Sequence, residues 1–239
     1  MKTSIVTGGA SGIGLELSKL LIKDNYKVYI VDNNSKNLNR LKKNLDSNSY
    51  KEINIDMSSV SSPKKIYNML KDKNIEILIN NAGFGDFGKF YQTDWEKGEK
   101  MINLHVLNTT HLTKLFLKDM VKKNSGKILN IPSVAAFQPG PLMSIYYATK
   151  AYILHFTEAI ANEVKDKNIS ISVLCPGQTK TDFQKNVSSK KNKIKFNSSC
   201  PVKVAKYGYE GLKTNNTIVY LDILINSLFF WIDYYLDTL

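Results

Sequence analysis

Residues 144–150 read SIYYATK, and Tyr146 and Lys150 within them stand four apart, so on a helix both side chains leave the same face. A phenol with an ordinary pKa of about 10 is a poor acid or base at neutral pH, but a cation held beside it favours its ionised form. The pair is therefore a candidate proton donor and acceptor. Tyr147 is only three residues from Lys150 and could reach it too, so spacing alone leaves two phenols open.

A second constellation lies near the N-terminus, where TGGASGIG, residues 7–14, follows a Val/Ile-rich run and leads into a helix from about Ile13. Glycines permit a tight turn and let backbone N–H groups approach a pyrophosphate, whose charge a helix N-terminus favours. The spacing is Gly8, Gly12, Gly14, unlike the GxGxxG of other dinucleotide-binding turns. Asp32, at the end of the next apolar run, could accept hydrogen bonds from the adenosine ribose hydroxyls and would repel the extra phosphate of NADP. NAD is the predicted cofactor, and the neutral Ser11 and Asn33 point the same way. Lys36 and Arg40 close by leave NADP open.

Short Val- and Ile-rich runs alternating with helical periodicity must position these residues, and that alternation predicts parallel strands joined by crossover helices. Strands are expected at 2–7, 27–32, 51–56, 75–80, 127–132, 170–175 and 217–221, most of them apolar on both faces, as a sheet covered on both sides requires. Helices are expected at 13–24, 36–46, 60–72, 94–122, 143–166 and 222–237. One domain, 1–239, accounts for the whole chain.

The formal charge is +12, but eight lysines between Lys180 and Lys206 against Asp182 alone supply +7 of it. No nucleic-acid-binding motif accompanies them, and the stretch reads as a solvated basic loop, with 184–206 a candidate substrate lid. The two cysteines, Cys175 and Cys200, and the three histidines, His105, His111 and His155, show no metal-ligand spacing, so neither a disulfide framework nor a metal site is indicated. Packing or surface roles are the default for the histidines. The opening residues lack the apolar core of a secretory signal, which predicts a cytoplasmic protein. The apolar stretch 218–236 carries Asp222, Asn226 and Asp233, with Asp237 just beyond, along one helical stripe, which favours an amphipathic covering helix over a membrane span. Contact with a membrane surface is the weaker alternative.

Taken together, these motifs resemble the short-chain dehydrogenase/reductase family of single-domain Rossmann type, from residue 1 to about 183. Its TGxxxGIG is TGGASGIG here, and its NNAG is Asn80, Asn81, Ala82, Gly83. The resemblance implies a three-layer α/β fold: a doubly wound, mostly parallel seven-stranded sheet of order 3-2-1-4-5-6-7, with helices on both faces. It implies a catalytic set of Asn103, Ser133, Tyr146 and Lys150. Ser133 precedes Tyr146 by 13 residues, the family's usual separation, which selects Tyr146 over Tyr147.

Lys150 would hold the nicotinamide ribose and, together with the nicotinamide's own charge, depress the Tyr146 pKa, Ser133 would bind the substrate oxygen, and Asn103 would hold a water linking the lysine to solvent. The implied cofactor contacts are Gly8, Ser11, Gly12, Ile13, Gly14, Asp32, Asp56, Met57, Asn81, Ala82, Gly83, Tyr146, Lys150, Pro176, Gly177, Thr179 and Thr181. Pro132 before Ser133 departs from the pattern by removing an N–H. The implied reaction is reversible hydride transfer between a nicotinamide and a secondary alcohol or ketone. Phe84, Phe87, Phe137, Leu142, Met143 and Phe183 near the cleft suggest an apolar or bulky substrate. Self-association is expected through helices 94–122 and 143–166. The rivals are a dinucleotide-binding regulatory protein without turnover and a membrane-surface reductase of lipid-like ketones.

Overall fold

The computed structural model of the chain describes residues 2–183, 198–214 and the backbone of 218–220. Seven strands, β1 (Thr3–Thr7), β2 (Lys27–Asp32), β3 (Tyr50–Asn54), β4 (Ile75–Asn80), β5 (Gly126–Asn130), β6 (Ile169–Cys175) and β7 (Ile218–Tyr220), form one sheet of order β3-β2-β1-β4-β5-β6-β7, the order expected. Every neighbouring pair is parallel.

Period-two alternation along the strands divides the core between the two faces. Val6, Ile30, Ile79, Leu129 and Leu174 join one cluster with helices α1 (Gly12–Lys23) and α2 (Ser35–Leu41). Ile5, Val31, Leu78, Ile128 and Ile171 join the other with α3 (Ser62–Leu70), α5 (Thr109–Lys123) and α6 (Ser144–Glu163). The chain turns outward from β1 in one direction and from β4 in the other, so a crevice opens at their carboxyl ends, where such sheets bind ligands.

Two elements differ from expectation. The long helix 94–122 is three pieces: α4 (Trp95–Ile102), a π-helical segment (Asn103–Asn108) and α5. The wide turn is fastened by Asn108, whose Nδ2 donates to the carbonyls of Met57 (2.6 Å) and Ser59 (2.9 Å).

The second difference is in the basic segment: only 184–197 lies outside the described residues, and residues 201–206 open a helix, α7 (Pro201–Lys213). Pro201 sits in its first turn, where the missing N–H costs nothing. Val204, Ala205, Tyr209 and Leu212 are buried against α1 and β6, while its lysines point outward. Tyr209 donates to Asp24 Oδ2 (2.8 Å), which Lys213 also reaches at 3.0 Å. These side chains are part of the core. Val204→Ala, within the stretch 184–206, is expected to cost about 2 kcal/mol in denaturant unfolding while leaving KM for substrate within about twofold; a raised KM with unchanged stability would favour a lid role.

A buried polar thread crosses the sheet. Asn80 Nδ2 on β4 donates to Thr113 Oγ1 of α5 (2.9 Å) and to Asn130 Oδ1 of β5 (2.8 Å), and Asn130 Nδ2 donates to Thr157 Oγ1 of α6 (2.9 Å). The expected helix 222–237 lies outside the described residues. Among those described, no helix is long and apolar enough to cross a membrane.

Candidate active site

The glycine turn between β1 and α1 is built by close approach. Gly8 adopts φ +61°, and a Cβ at Gly14 would collide with the Gly8 carbonyl and Asn81 Nδ2. The segment after β4 pins the turn: Thr7 Oγ1 accepts from the N–H groups of Asn81 (3.0 Å) and Ala82 (3.1 Å), and Asn81 Nδ2 donates to the carbonyls of Thr7 and Gly8, each at 3.0 Å. Ser11 is the N-cap of α1 with its hydroxyl capping nothing, and the helix's first turn carries no acidic residue. The end of α1, with Ile13 in its first turn, thus presents N–H groups and a positive dipole end to an anion, an arrangement that fits a diphosphate.

Asp32 closes β2 beside this turn. Its Oδ2 accepts from the Ala10 N–H (3.2 Å) and its Oδ1 from the Asn34 N–H (3.0 Å), so the carboxylate both braces the turn and puts a negative charge at its edge. Asp56 is exposed after β3 and bonds to the Ser58 N–H and hydroxyl, while the adjoining Met57 is buried.

At the other end of the crevice, β5 delivers Ser133 and α6 delivers Tyr146 and Lys150. The Ser133 side chain pulls the Tyr146 phenol's pKa downward, and its hydroxyl donates to the Pro176 carbonyl at 3.4 Å. Ser133 Oγ also accepts from the Ala135 N–H (3.2 Å), and the Pro176 carbonyl takes the Val134 N–H (3.1 Å), so the loops after β5 and β6 are joined despite Pro132. Tyr147 packs its ring onto Gly140 and bonds to Gln138, which makes it wall. The Gly88 N–H donates to the Leu142 carbonyl (2.8 Å), tying the loop after β4 to the loop before α6.

The loop after β6 crosses the crevice. Thr179 folds back onto the Gly177 carbonyl (2.9 Å), Thr181 lies against Gly12, and the Phe183 ring sits 5.4 Å from that of Tyr146. Phe87 and Phe137 are exposed.

Burial dominates the electrostatics of the pair in the chain by itself. Lys150 Nζ lies over the face of Tyr146, 5.5 Å from the ring centroid, and donates to the Ile131 carbonyl at 3.4 Å. Burial pushes the phenol up to about 12, with Tyr147 adding to the rise and Ser133 pulling the other way. Burial likewise lowers Lys150 to about 8. At neutral pH the pair is a neutral phenol beside a cation, a state that donates a proton.

Asn103 is half-buried at the start of the π segment and makes no side-chain hydrogen bond among the described residues. The side chain that reaches in from this segment is His105, which is 2 % exposed and whose ring meets that of Tyr146 edge-on at 6.0 Å. Its partners come from Phe84 and Thr149, distant in sequence, and no spacing rule could have found it. Among the described residues, no group of His, Cys, Asp and Glu could hold a metal ion.

A family model described as short chain dehydrogenase matches residues 2–192. The chain is 29 % identical over 204 residues to the 3-oxoacyl-(acyl-carrier-protein) reductase of Buchnera aphidicola, covering 84 % of this chain and 83 % of that one. Its fold matches a short-chain dehydrogenase from Sphingobium yanoikuyae in complex with NADPH (TM-score 0.86, 23 % identity, 100 % of this chain and 96 % of that one). It also matches a short-chain dehydrogenase/reductase from Burkholderia phymatum in complex with NAD (TM-score 0.83, 20 % identity, 95 % and 91 %).

Proposed function

Because this chain belongs to the short chain dehydrogenase family and is therefore an oxidoreductase, we propose that it reduces a ketone to a secondary alcohol with a nicotinamide coenzyme, reversibly, Tyr146 giving the proton. The observation that carries this reading is the Lys150 ammonium held over the Tyr146 ring, 5.5 Å from its centroid, in a fold whose glycine turn between β1 and α1 fits a diphosphate.

A bound nicotinamide supplies the hydride. The chain's own residues do the rest. Gly8, Ser11, Gly12, Ile13 and Gly14 hold the diphosphate at the head of α1, Asp32 takes the adenosine ribose hydroxyls, and Asp56 and Met57 flank the adenine. Asn81, Ala82 and Gly83 floor the crevice, Lys150 takes the nicotinamide ribose, and Pro176, Gly177, Thr179 and Thr181 hold the carboxamide end. Ser133 Oγ orients the carbonyl oxygen, Tyr146 Oη protonates it as negative charge develops, and the Lys150 ammonium stabilises the phenolate left behind.

The substrate class we propose is a ketone with a long or bulky apolar portion, such as a 3-oxoacyl thioester. The Buchnera relative named for that reaction supports it, as do the rings of Tyr147 and Phe183 packed against Tyr146. The test is NADH consumption with 3-oxoacyl thioesters of several lengths and bulky aromatic ketones. No consumption of NADH or NADPH across that panel would overturn the reading. Self-association is proposed through the α4–α5 and α6 surface, where Leu107 and Tyr152 are exposed.

NAD is the proposed coenzyme, on the charge of Asp32. Replacing Asp32 by Asn is expected to shift the NADPH-to-NADH ratio of kcat/KM upward on the order of tenfold, about 1.4 kcal/mol. An unchanged ratio would mean that Asp32 braces the turn without selecting the coenzyme.

A further inference from the structure

We propose that His105 is a positioning residue for the Tyr146–Lys150 pair, held as the neutral Nδ1–H tautomer between the loop after β4 and the turn of α6 that carries both groups. The proposal rests on the reductase reading for its kinetic consequence, but the state of the ring follows from its contacts alone.

The donors in the contact chain can run only one way. The Phe84 backbone N–H donates to Nε2 at 3.3 Å, so Nε2 must be unprotonated. Nδ1 then carries the hydrogen and donates to Thr149 Oγ1, 2.9 Å away, and that hydroxyl donates to the Tyr146 carbonyl at 2.8 Å. Each donor is used once, and the chain ends on the backbone of the proposed proton donor. The loop after β4, the π segment and α6 are thereby clamped together at the floor of the crevice.

The ring is kept neutral by its surroundings. Burial and the nearby Lys150 ammonium both oppose a second proton. The charged group facing it from α6 is Lys150, and the acid on the loop after β4, Asp86, is ion-paired with Lys97. A protonated ring would lose the Phe84 bond and set a second buried cation beside the first. Steric contacts reinforce the placement, because a Cβ on Gly83 would lie 2.9 Å from His105 Nε2 and 3.4 Å from Lys150 Nζ. Residue 83 must be small for the imidazole and the ammonium to share this floor, and the π turn is what brings residue 105 inward to use it.

Two measurements decide the matter. In ¹⁵N spectra of histidine-labelled protein, with His105→Gln used for assignment, one imidazole is expected to stay in the Nδ1–H form, untitrated through the range where exposed histidines gain a proton. An Nε2–H tautomer, or protonation of that ring within the same range, would overturn the proposal whether or not the protein turns over ketones. In kinetics, His105→Leu is expected to lower kcat about 10- to 100-fold with ketone KM changed less than about threefold, because reacting groups are displaced and not unbound. Asn at 105, which can still donate toward Thr149, is expected to recover most of that loss, and Thr149→Val to reproduce the Leu defect. Equal KM and kcat effects, or no rescue by Asn, would reduce His105 to packing. A wild-type protein without turnover would sink the reductase reading and leave the spectra to judge the tautomer.

Discussion

Tyr146→Phe is expected to lower kcat for ketone reduction by about 10²–10⁴-fold while NADH binding, read by fluorescence titration, stays within about twofold. The substitution removes one oxygen and keeps the ring, so the contacts with Phe183 and His105 survive. What disappears is the proton that would reach the carbonyl oxygen, along with the hydroxyl on whose pKa Ser133 acts. The phenol is neutral at working pH, so no charge is lost from the fold, and unfolding free energy should change by less than about 1.5 kcal/mol. A variant retaining a tenth of wild-type kcat would show that protonation comes from elsewhere.

Lys150→Met should abolish most activity and, unusually for a core substitution, stabilise the protein. The lysine is 5 % exposed, and its Nζ has one long bond, to the Ile131 carbonyl. Its pKa falls from the model-compound value of 10.5 to about 8 on folding, a differential cost on the order of 3 kcal/mol for keeping the cation inside. Between those two values the unfolded chain binds the proton more tightly than the folded one, so stability rises with pH across that window. Below about 8 the cost is felt in full. The methionine variant should therefore exceed wild type by about 1–3 kcal/mol at neutral pH, with the gap closing as pH climbs toward 10.5. The same ionisation makes a kinetic prediction: wild-type ketone reduction should hold level at neutral pH and decline above about 8, as the ammonium beneath the phenol is lost. A less stable methionine variant, or a gap that ignores pH, would contradict this account.

Much of this architecture was legible in the residues themselves. Strands buried on both faces announce themselves as Val/Ile runs, and the glycine turn, weak by itself, gains its meaning from the strand before it, the helix after it and Asp32 beyond. Tyr146 and Lys150, four apart on α6, meet with the ammonium over the phenol ring, as one helical turn dictates.

What escaped has physical reasons. The π segment depends on Asn108 finding the Met57 and Ser59 carbonyls some fifty residues away, which no local pattern encodes. His105 was one histidine among three until Thr149 and Phe84 were seen around it. Helix α7 was hidden by lysine density, although Val204, Ala205, Tyr209 and Leu212 follow helical spacing and Pro201 marks its start. The upward shift of the phenol could not be inferred from sequence, because desolvation belongs to the folded surroundings and not to the lysine four positions on.

Asn80 and Asn130, with the threonines that flank them, bear on how the chain reaches a single fold. Hydrophobic collapse alone would tolerate β5 slipping along β4, since oily side chains accept many neighbours. A slip of one residue would turn Asn130 toward the opposite face, and a slip of two would carry it a rung past Asn80, leaving dry amides with nothing to bond. Misaligned versions of the molecule are thus penalised by their unmet polar atoms, and the edge of the sheet that presents the reacting groups inherits its alignment from four side chains that never touch the reaction.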